Sequence, residues 1–369
     1  MKILVTGSQG FVGKNLTAEL HNQLYADIFE YDIGTDPSLL DAYCADADFV
    51  FHLAGVNRPE HESEFMKGNF GFTSTLLDTL KRHGNKCPVM IASSIQAALD
   101  NPYGRSKKAG EDLMLEYAGE TGATVLIYRF PNVFGKWCRP NYNSAIATFC
   151  SNVANSLPIE INDPDVIMSL VYIDDVVEEL IRALKGLEKR AGDYCEVAPV
   201  HKARLGDILE LIRSFAKSRE NLLVPDMRDN FTKKLYSTYL SYLPQDGFSY
   251  PLRTSKDSRG AFAEFLRTAD RGQVSVNIVK PGITKGNHWH HTKSEKFLVV
   301  SGKAVIRFRQ IGSEAAFEYH MSAEKLEAVD IPAGYTHNIE NTGDTDMVFL
   351  IWANEQYDPE HPDTYFMEV

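Results

Sequence analysis

The chain holds few cysteines. Cys44, Cys87, Cys138, Cys150 and Cys195 are scattered over 369 residues, odd in number and without a C-x-x-C pair. That excludes a disulfide framework and a zinc ribbon, and leaves reduced thiols as the simplest account. Long apolar runs are also missing: none approaches the ~20 residues of a membrane span. Met1-Lys2 leads directly into Ile3-Leu4-Val5, leaving no room for a charged segment followed by a long apolar one. A cytoplasmic protein without membrane partners is expected. Positive charge is short as well, with 38 Lys and Arg against 50 Asp and Glu and a net charge of -12. No basic cluster offers a nucleic-acid surface, so no nucleic-acid partner is expected.

What is present suggests two domains, as a chain of this length commonly requires. Lys2-Ile-Leu-Val-Thr-Gly7 reads as a buried strand, and Gly7, Gly10 and Gly13 give G-x-x-G-x-x-G where that strand turns into a helix. Glycines there let backbone N–H groups approach a pyrophosphate at the positive end of the helix. A second strand, residues 28–32, ends at Asp32, placed to accept from a ribose 2′-hydroxyl; taken alone it favours NAD over NADP. Lys14 is the nearest cation for a 2′-phosphate, and equally a solvated helix lysine. Strand and helix alternate through residues 48–55, 69–83, 89–94 and 107–119. This rhythm predicts an α/β doubly wound parallel sheet of Rossmann type.

Ser94 closes a strand that ends in Ser-Ser, and Tyr103 and Lys107 follow it. Tyr103 and Lys107 stand four apart on one face of a helix start. An ammonium near a phenol favours the phenolate, so a lowered Tyr103 pKa is expected. Tyr103 can then donate a proton to a carbonyl oxygen that the Ser94 hydroxyl holds.

Beyond a linker at residues 245–254, short strands and turns replace the α/β rhythm, as in an antiparallel barrel. On a strand, His288 and His290 leave by one face, with Trp289 and His291 on the other. Glu295 lies five residues on, and His337 follows the turn Pro332-Ala333-Gly334. Three imidazoles and a carboxylate suit a divalent transition metal. A chance cluster of surface histidines is the bland alternative.

These motifs carry resemblances. Residues 1–245 resemble the extended short-chain dehydrogenase/reductase family on Gly7, Gly10, Gly13, Asp32, the His52-Leu-Ala-Gly55 turn, Asn69, Ser94, Tyr103, Lys107, the run Arg129-Phe-Pro-Asn-Val-Phe-Gly135 and Val171-Tyr-Ile-Asp-Asp175. The resemblance implies a nucleotide-activated sugar as substrate. It also places the nucleotide-sugar near Asn132 and Arg139, the latter as readily a surface arginine. Family dehydratases carry an Asp-Glu pair just after the catalytic Ser or Thr; Ile95-Gln96 stands there, so reduction is expected rather than elimination.

Residues 246–369 resemble the cupins: G-x5-H-x-H-x4-E-x6-G from Gly282 to Gly302, then P-x-G-x-x-H-x-x-x-N from Pro332 to Asn341. A glycine expected six residues before the proline is Leu326. Asp257-Ser-Arg-Gly-Ala-Phe-Ala-Glu264 and Lys285-Gly-Asn-His288 further resemble sugar-nucleotide 3,5-epimerases, which are cupins whose histidine is the base and which place a lysine where Lys296 stands. Adjacent strand residues face opposite sides, so Glu295 and Lys296 cannot both line the barrel without a bulge; Glu295 is expected inside.

The combination resembles the bifunctional capsular polysaccharide enzymes of the UDP-N-acetyl-L-fucosamine pathway. It implies a homodimer that binds Zn2+ through His288, His290, Glu295 and His337. It further implies C3 epimerisation of a UDP-2-acetamido-2,6-dideoxy-4-hexulose in the cupin, then NADPH-dependent C4 reduction by Ser94, Tyr103 and Lys107 to the L-talose-type UDP-sugar. Asp32 leaves NADH open. His288 is claimed both as metal ligand and as base; in the former case Lys296, Arg259 or His291 would move the proton. A reductase whose cupin only dimerises or binds sugar is the alternative.

Overall fold

Seven strands form the sheet of the first half. Ile3, Leu4 and Val5 are fully buried and Phe49, Val50, Phe51 and His52 of the adjacent inner strand are buried, which is the continuous apolar pattern of a sheet covered on both faces, while the edge strand of residues 27–31 is only partly buried. The elements run β1 (Lys2–Thr6), α1 (Phe11–Asn22), β2 (Asp27–Tyr31), α2 (Leu39–Asp46), β3 (Phe49–His52), the short turn α3 (Ser63–Phe65), α4 (Phe72–Arg82), β4 (Val89–Ser94), α5 (Pro102–Thr121) and β5 (Val125–Phe130). Then follow β6 (Asn132–Phe134), β7 (Ile167–Tyr172), β8 (Arg190–Ala191), β9 (Tyr194–Cys195) and β10 (His201–Arg204). Strand order is β2-β1-β3-β4-β5-β9-β8, with a separate sheet β10-β7-β6. The pairs from β2 through β5 to β9 are parallel, as a doubly wound fold requires. The structure, a computed structural model, describes residues 1–369.

In the second half all strands pair antiparallel: β11 (Thr254–Asp257), β12 (Gly260–Arg267), β13 (Gln273–Val279), β14 (Thr284–Trp289), β15 (Glu295–Ser301), β16 (Lys303–Gln310), β17 (Ala316–Ser322), β18 (Ala328–Ile331), β19 (Tyr335–Asn341), β20 (Met347–Ala353) and β21 (Tyr365–Phe366). They form two sheets, β11-β12-β13-β20-β15-β18 and β17-β16-β19-β14-β21, a cupin-like barrel. A core of Val279, Phe297, Val299, Ile306, Phe308 and Ile339 fills the space between them. Leu326, where cupins carry glycine, is 66% exposed in the β17–β18 connection and is not among the positive-φ residues, so the turn has no need of glycine there.

The chain divides into one unit of Met1–Ile212 with Lys234–Pro244 and another of Arg213–Lys233 with Gln245–Val369. The second unit resumes at Gln245, beside the expected boundary. Residues 213–233 also group with it, and within that unit Arg267 N–H donates to Leu222 O at 2.8 Å and Val224 N–H donates to Arg267 O at 2.8 Å. No helix is long and apolar enough to cross a membrane.

Candidate functional site

In the first unit the glycine loop is built by close approach. Gly7 has φ +72°, and a Cβ on it would lie 2.6 Å from Ala54 N; one on Gly13 would lie 2.1 Å from Gly7 O. Gly10 N–H closes the turn on Gly7 O at 3.0 Å. Asp32 Oδ2 accepts from Gln9 N–H at 2.8 Å and Oδ1 from Ile33 N–H at 2.8 Å, so this carboxylate ties the loop to the end of β2.

One crevice of 680 Å³ runs from Gly7, Gly10 and Gly13 past Ser94, Tyr103 and Lys107 to Asn132 and Arg139. Helix α5 starts earlier than the expected residue 107. Asn101 caps it by accepting from Gly104 N–H at 2.8 Å, Pro102 opens its first turn, and Gly122 ends it with φ +75°. Tyr103 thus sits in the first turn, with Lys107 one turn on.

Two consecutive residues of β4 are held by helix side chains that stand four apart. Lys107 Nζ donates to Ala92 O at 3.0 Å and Ser93 Oγ donates to Glu111 Oε1 at 2.5 Å, while Ser94 and Tyr103 line the same crevice. Glu111 is fully buried and accepts twice from Arg129, whose Nε and Nη2 lie 2.8 and 2.6 Å from its oxygens. The sequence singled out neither Ser93 nor Glu111, although Glu111 continues the four-residue spacing of Tyr103 and Lys107. His52 is buried between the hydroxyls of Thr6 at 2.7 Å and Thr73 at 2.8 Å; burial pushes its pKa down to about 3, so it is a neutral structural group.

The expected lowering of the Tyr103 pKa is not what the geometry produces. Burial pushes the phenol up to about 12, against a smaller opposing effect of the nearby Ser94 hydroxyl, while Lys107 Nζ stands 5.9 Å from the ring centroid. A neutral phenol is the form that donates a proton. Burial pushes Lys107 down to about 8, with Glu111 opposing, so the ammonium is still charged at neutral pH. Since a lysine loses its charge as pH rises through its pKa, ketone reduction is expected to fall above pH about 8. Lys107→Arg should keep whatever activity it retains to higher pH. A wild-type pH–rate profile flat through that range would contradict this assignment.

In the second unit a bulge aims the histidines. Asn287 takes φ 59°, and the β14–β19 register shifts between Gly286 and His288, so Lys285 opposes Ile339 and His288 opposes His337. Gly286 has φ +100°, and a Cβ there would lie 2.8 Å from His337 O. His288, His290, Glu295 and His337 converge, with one potential ligand atom from each lying within 4.8 Å of the others. Glu295 Oε2 is 3.6 Å from both His290 Nε2 and His337 Nε2. These two nitrogens are buried without a hydrogen-bond partner. Two orphaned lone pairs aimed at a carboxylate fit a metal-binding donor set. Burial, with His337 and His290 nearby, pushes His288 down to about 4, so it is neutral and able to ligate.

The other candidates lie elsewhere. Lys296 points to the opposite face from Glu295, exposed and paired with Asp330. His291 packs against Trp289 and Tyr365 at ring distances of 4.4 and 4.9 Å. Arg259 is exposed and bonded to Asp257. None of the three joins the cluster, because strand alternation or an exposed turn directs each away from it. Lys293, not among the expected residues, places Nζ 3.6 Å from Glu295 Oε1 and lines a 250 Å³ cavity with it.

Fold and constellation together define a dinucleotide-binding enzyme of the short-chain dehydrogenase/reductase type, joined to a cupin-like barrel. Residues 3–197 match the NAD dependent epimerase/dehydratase family, and residues 255–365 match the polysaccharide biosynthesis C-terminal domain. The chain belongs to the NAD dependent epimerase/dehydratase family. It is 44% identical to the UDP-2-acetamido-2,6-beta-L-arabino-hexul-4-ose reductase of Pseudomonas aeruginosa, over 100% of this chain and 99% of that one. The capsular polysaccharide assembling protein CapF from Staphylococcus aureus is 55% identical, with a TM-score of 0.95 and 100% of both chains covered. The structure of RMD from Pseudomonas aeruginosa complexed with NADPH is 25% identical, with a TM-score of 0.50, covering 59% of this chain and 83% of that one.

Proposed function

We propose that this chain is a bifunctional sugar-nucleotide enzyme of capsular polysaccharide synthesis. The barrel inverts C3 of a UDP-2-acetamido-2,6-dideoxy-4-hexulose, and the α/β unit reduces the C4 ketone to give a UDP-L-talose-type sugar. The observation that carries the reductase half is the α5–β4 arrangement of Tyr103, Lys107 and Ser94 in one crevice with the glycine loop. The full-length likeness to a UDP-hexulose reductase supports the substrate class.

In the reductase site the glycine loop and the N-terminus of α1 hold the diphosphate of the coenzyme. NADPH, when bound, supplies the hydride; NADH is the alternative that Asp32 leaves open. Ser94 positions the C4 oxygen by hydrogen bonding, and Tyr103 donates its phenolic proton to that oxygen as charge develops there. Lys107 keeps a positive charge beneath the phenol.

In the barrel, His288, His290, Glu295 and His337 would hold a zinc ion, which supplies Lewis-acid polarisation of a carbonyl oxygen. The C3 proton is acidic because it lies beside the C4 ketone. Epimerisation at C3 therefore needs the same ketone that reduction later consumes, which fixes the order of the two steps. Lys296 has no place in this site.

Incubation with the 4-keto sugar nucleotide is expected to consume NADPH in a one-to-one ratio with substrate. Turnover without net coenzyme consumption would instead indicate a C4 epimerase that retains its coenzyme, and would overturn the reductase assignment.

A further inference from the structure

Asp363 lies near the chain's end, 73 residues from His290 and outside every motif described above. Its carboxylate nonetheless gathers the backbone of the loop that follows His290. Oδ1 accepts from His291 N–H at 2.9 Å, and Oδ2 accepts from Thr292 N–H at 2.8 Å and Lys293 N–H at 2.9 Å. The Thr292 hydroxyl adds a longer bond at 3.2 Å. Three successive N–H groups converging on one carboxylate form an anion nest, here filled by the chain itself.

The backbone of the same residue acts on the cluster directly. His290 Nδ1 lies 2.5 Å from Asp363 O. A carbonyl has no proton to give, so Nδ1 carries the hydrogen, and Nε2 presents its lone pair toward Glu295. The residues that follow complete a strap. Phe366 and Tyr365 pair with His288 and Trp289 in the β21–β14 ladder, and Met367 N–H donates to Asn287 O at 2.9 Å. The Tyr365 ring packs 5.2 Å from that of Trp289 on the face away from the cluster. Residues 363–367 thus grip both the strand that carries His288 and the loop that joins His290 to Glu295.

We propose that Asp363 is a positioning residue of the metal site. Its side chain shapes the 291–293 loop, and its carbonyl fixes the tautomer of His290, so that the four donors are arranged before a metal arrives. This rests on the reading of the His/Glu cluster as a metal site. It also gives the C-terminal segment a task that no motif of the barrel implies.

The test is a zinc titration against a chromophoric chelator, with wild type, Asp363→Ala, Asp363→Asn and Asp358→Ala compared as full-length proteins. Asp358 is an exposed residue of the same tail segment that accepts only from its neighbours Glu360 and His361. Losing a residue that supports a ligand typically weakens metal affinity by ~10–100-fold, and that range is expected for Asp363→Ala. Asp363→Asn keeps one acceptor oxygen and is expected to fall between, while Asp358→Ala should bind as wild type does. The visible absorption of the cobalt-loaded protein, which reports ligand geometry, is expected to change in Asp363→Ala and to return partly in Asp363→Asn. Wild-type affinity and an unchanged cobalt spectrum in both Asp363 variants would overturn the positioning role alone. Failure of the wild type to bind zinc or cobalt would overturn the metal-site reading and this inference together.

Discussion

Tyr103→Phe is expected to lower turnover of the ketone reduction by a factor of ~10²–10⁴, the usual contribution of a positioned general acid. The phenol lines the same crevice as the Ser94 hydroxyl, and burial holds it neutral, ready to donate. The substitution removes one oxygen and leaves the ring against Phe65, at a centroid distance of 5.6 Å. Lys107 keeps its bond to Ala92 O, and the glycine loop is untouched. NADPH affinity should therefore stay within a few-fold of wild type, which fluorescence titration measures alongside the steady-state rate. A fall in rate of less than tenfold would remove Tyr103 from the role of proton donor. A large loss of coenzyme binding would show instead that the ring supports the pocket.

Glu111→Ala carries the largest expected effect on stability. Glu111 is fully buried and balances the Arg129 guanidinium, and it also accepts from Ser93. Breaking a buried pair by removing one partner costs ~3–5 kcal/mol, because the remaining charge is left uncompensated in a low-dielectric site. For a domain of this size each kcal/mol lowers the melting temperature by ~2–4 °C, which calorimetry resolves easily. Arg129 retains partial solvent access, at 24% of its side chain, so a loss at the lower end of that range is expected. The double variant Glu111→Leu with Arg129→Met should recover much of the loss, since neither charge is then buried alone. An unchanged melting temperature in Glu111→Ala would mean that the pair contributes nothing to the fold around Lys107.

The parts of both sites that the sequence revealed are those written in short-range periodicity. Four-residue spacing placed Tyr103 and Lys107 on one helix face, and two-residue spacing placed His288 and His290 on one strand face. Alternation likewise separates Glu295 from Lys296, which the barrel turns inward and outward. What stayed hidden is contact between distant segments. Nothing local to Asp363 indicates that it reaches the loop after His290, and nothing local to Arg129 shows that it meets Glu111. The backbone bonds that join Leu222 and Val224 to Arg267 are likewise announced by no composition change. The pKa of Tyr103 failed for a related reason. Spacing puts an ammonium near the phenol, but burial depends on everything packed around both, and burial prevails.

Two separate sites are proposed to act in turn on one sugar, and isotope exchange in heavy water tests this most directly. The 4-keto sugar nucleotide is incubated with Tyr103→Phe, and in parallel with His337→Ala supplied with NADPH, and deuterium at C3 is followed by NMR. Tyr103→Phe is expected to place deuterium at C3 at the wild-type rate while leaving the ketone unreduced. His337→Ala is expected to lose that exchange. If wild-type protein oxidised NADPH with this substrate yet never incorporated deuterium at C3, the barrel would not be an epimerase and the two-site account would be wrong.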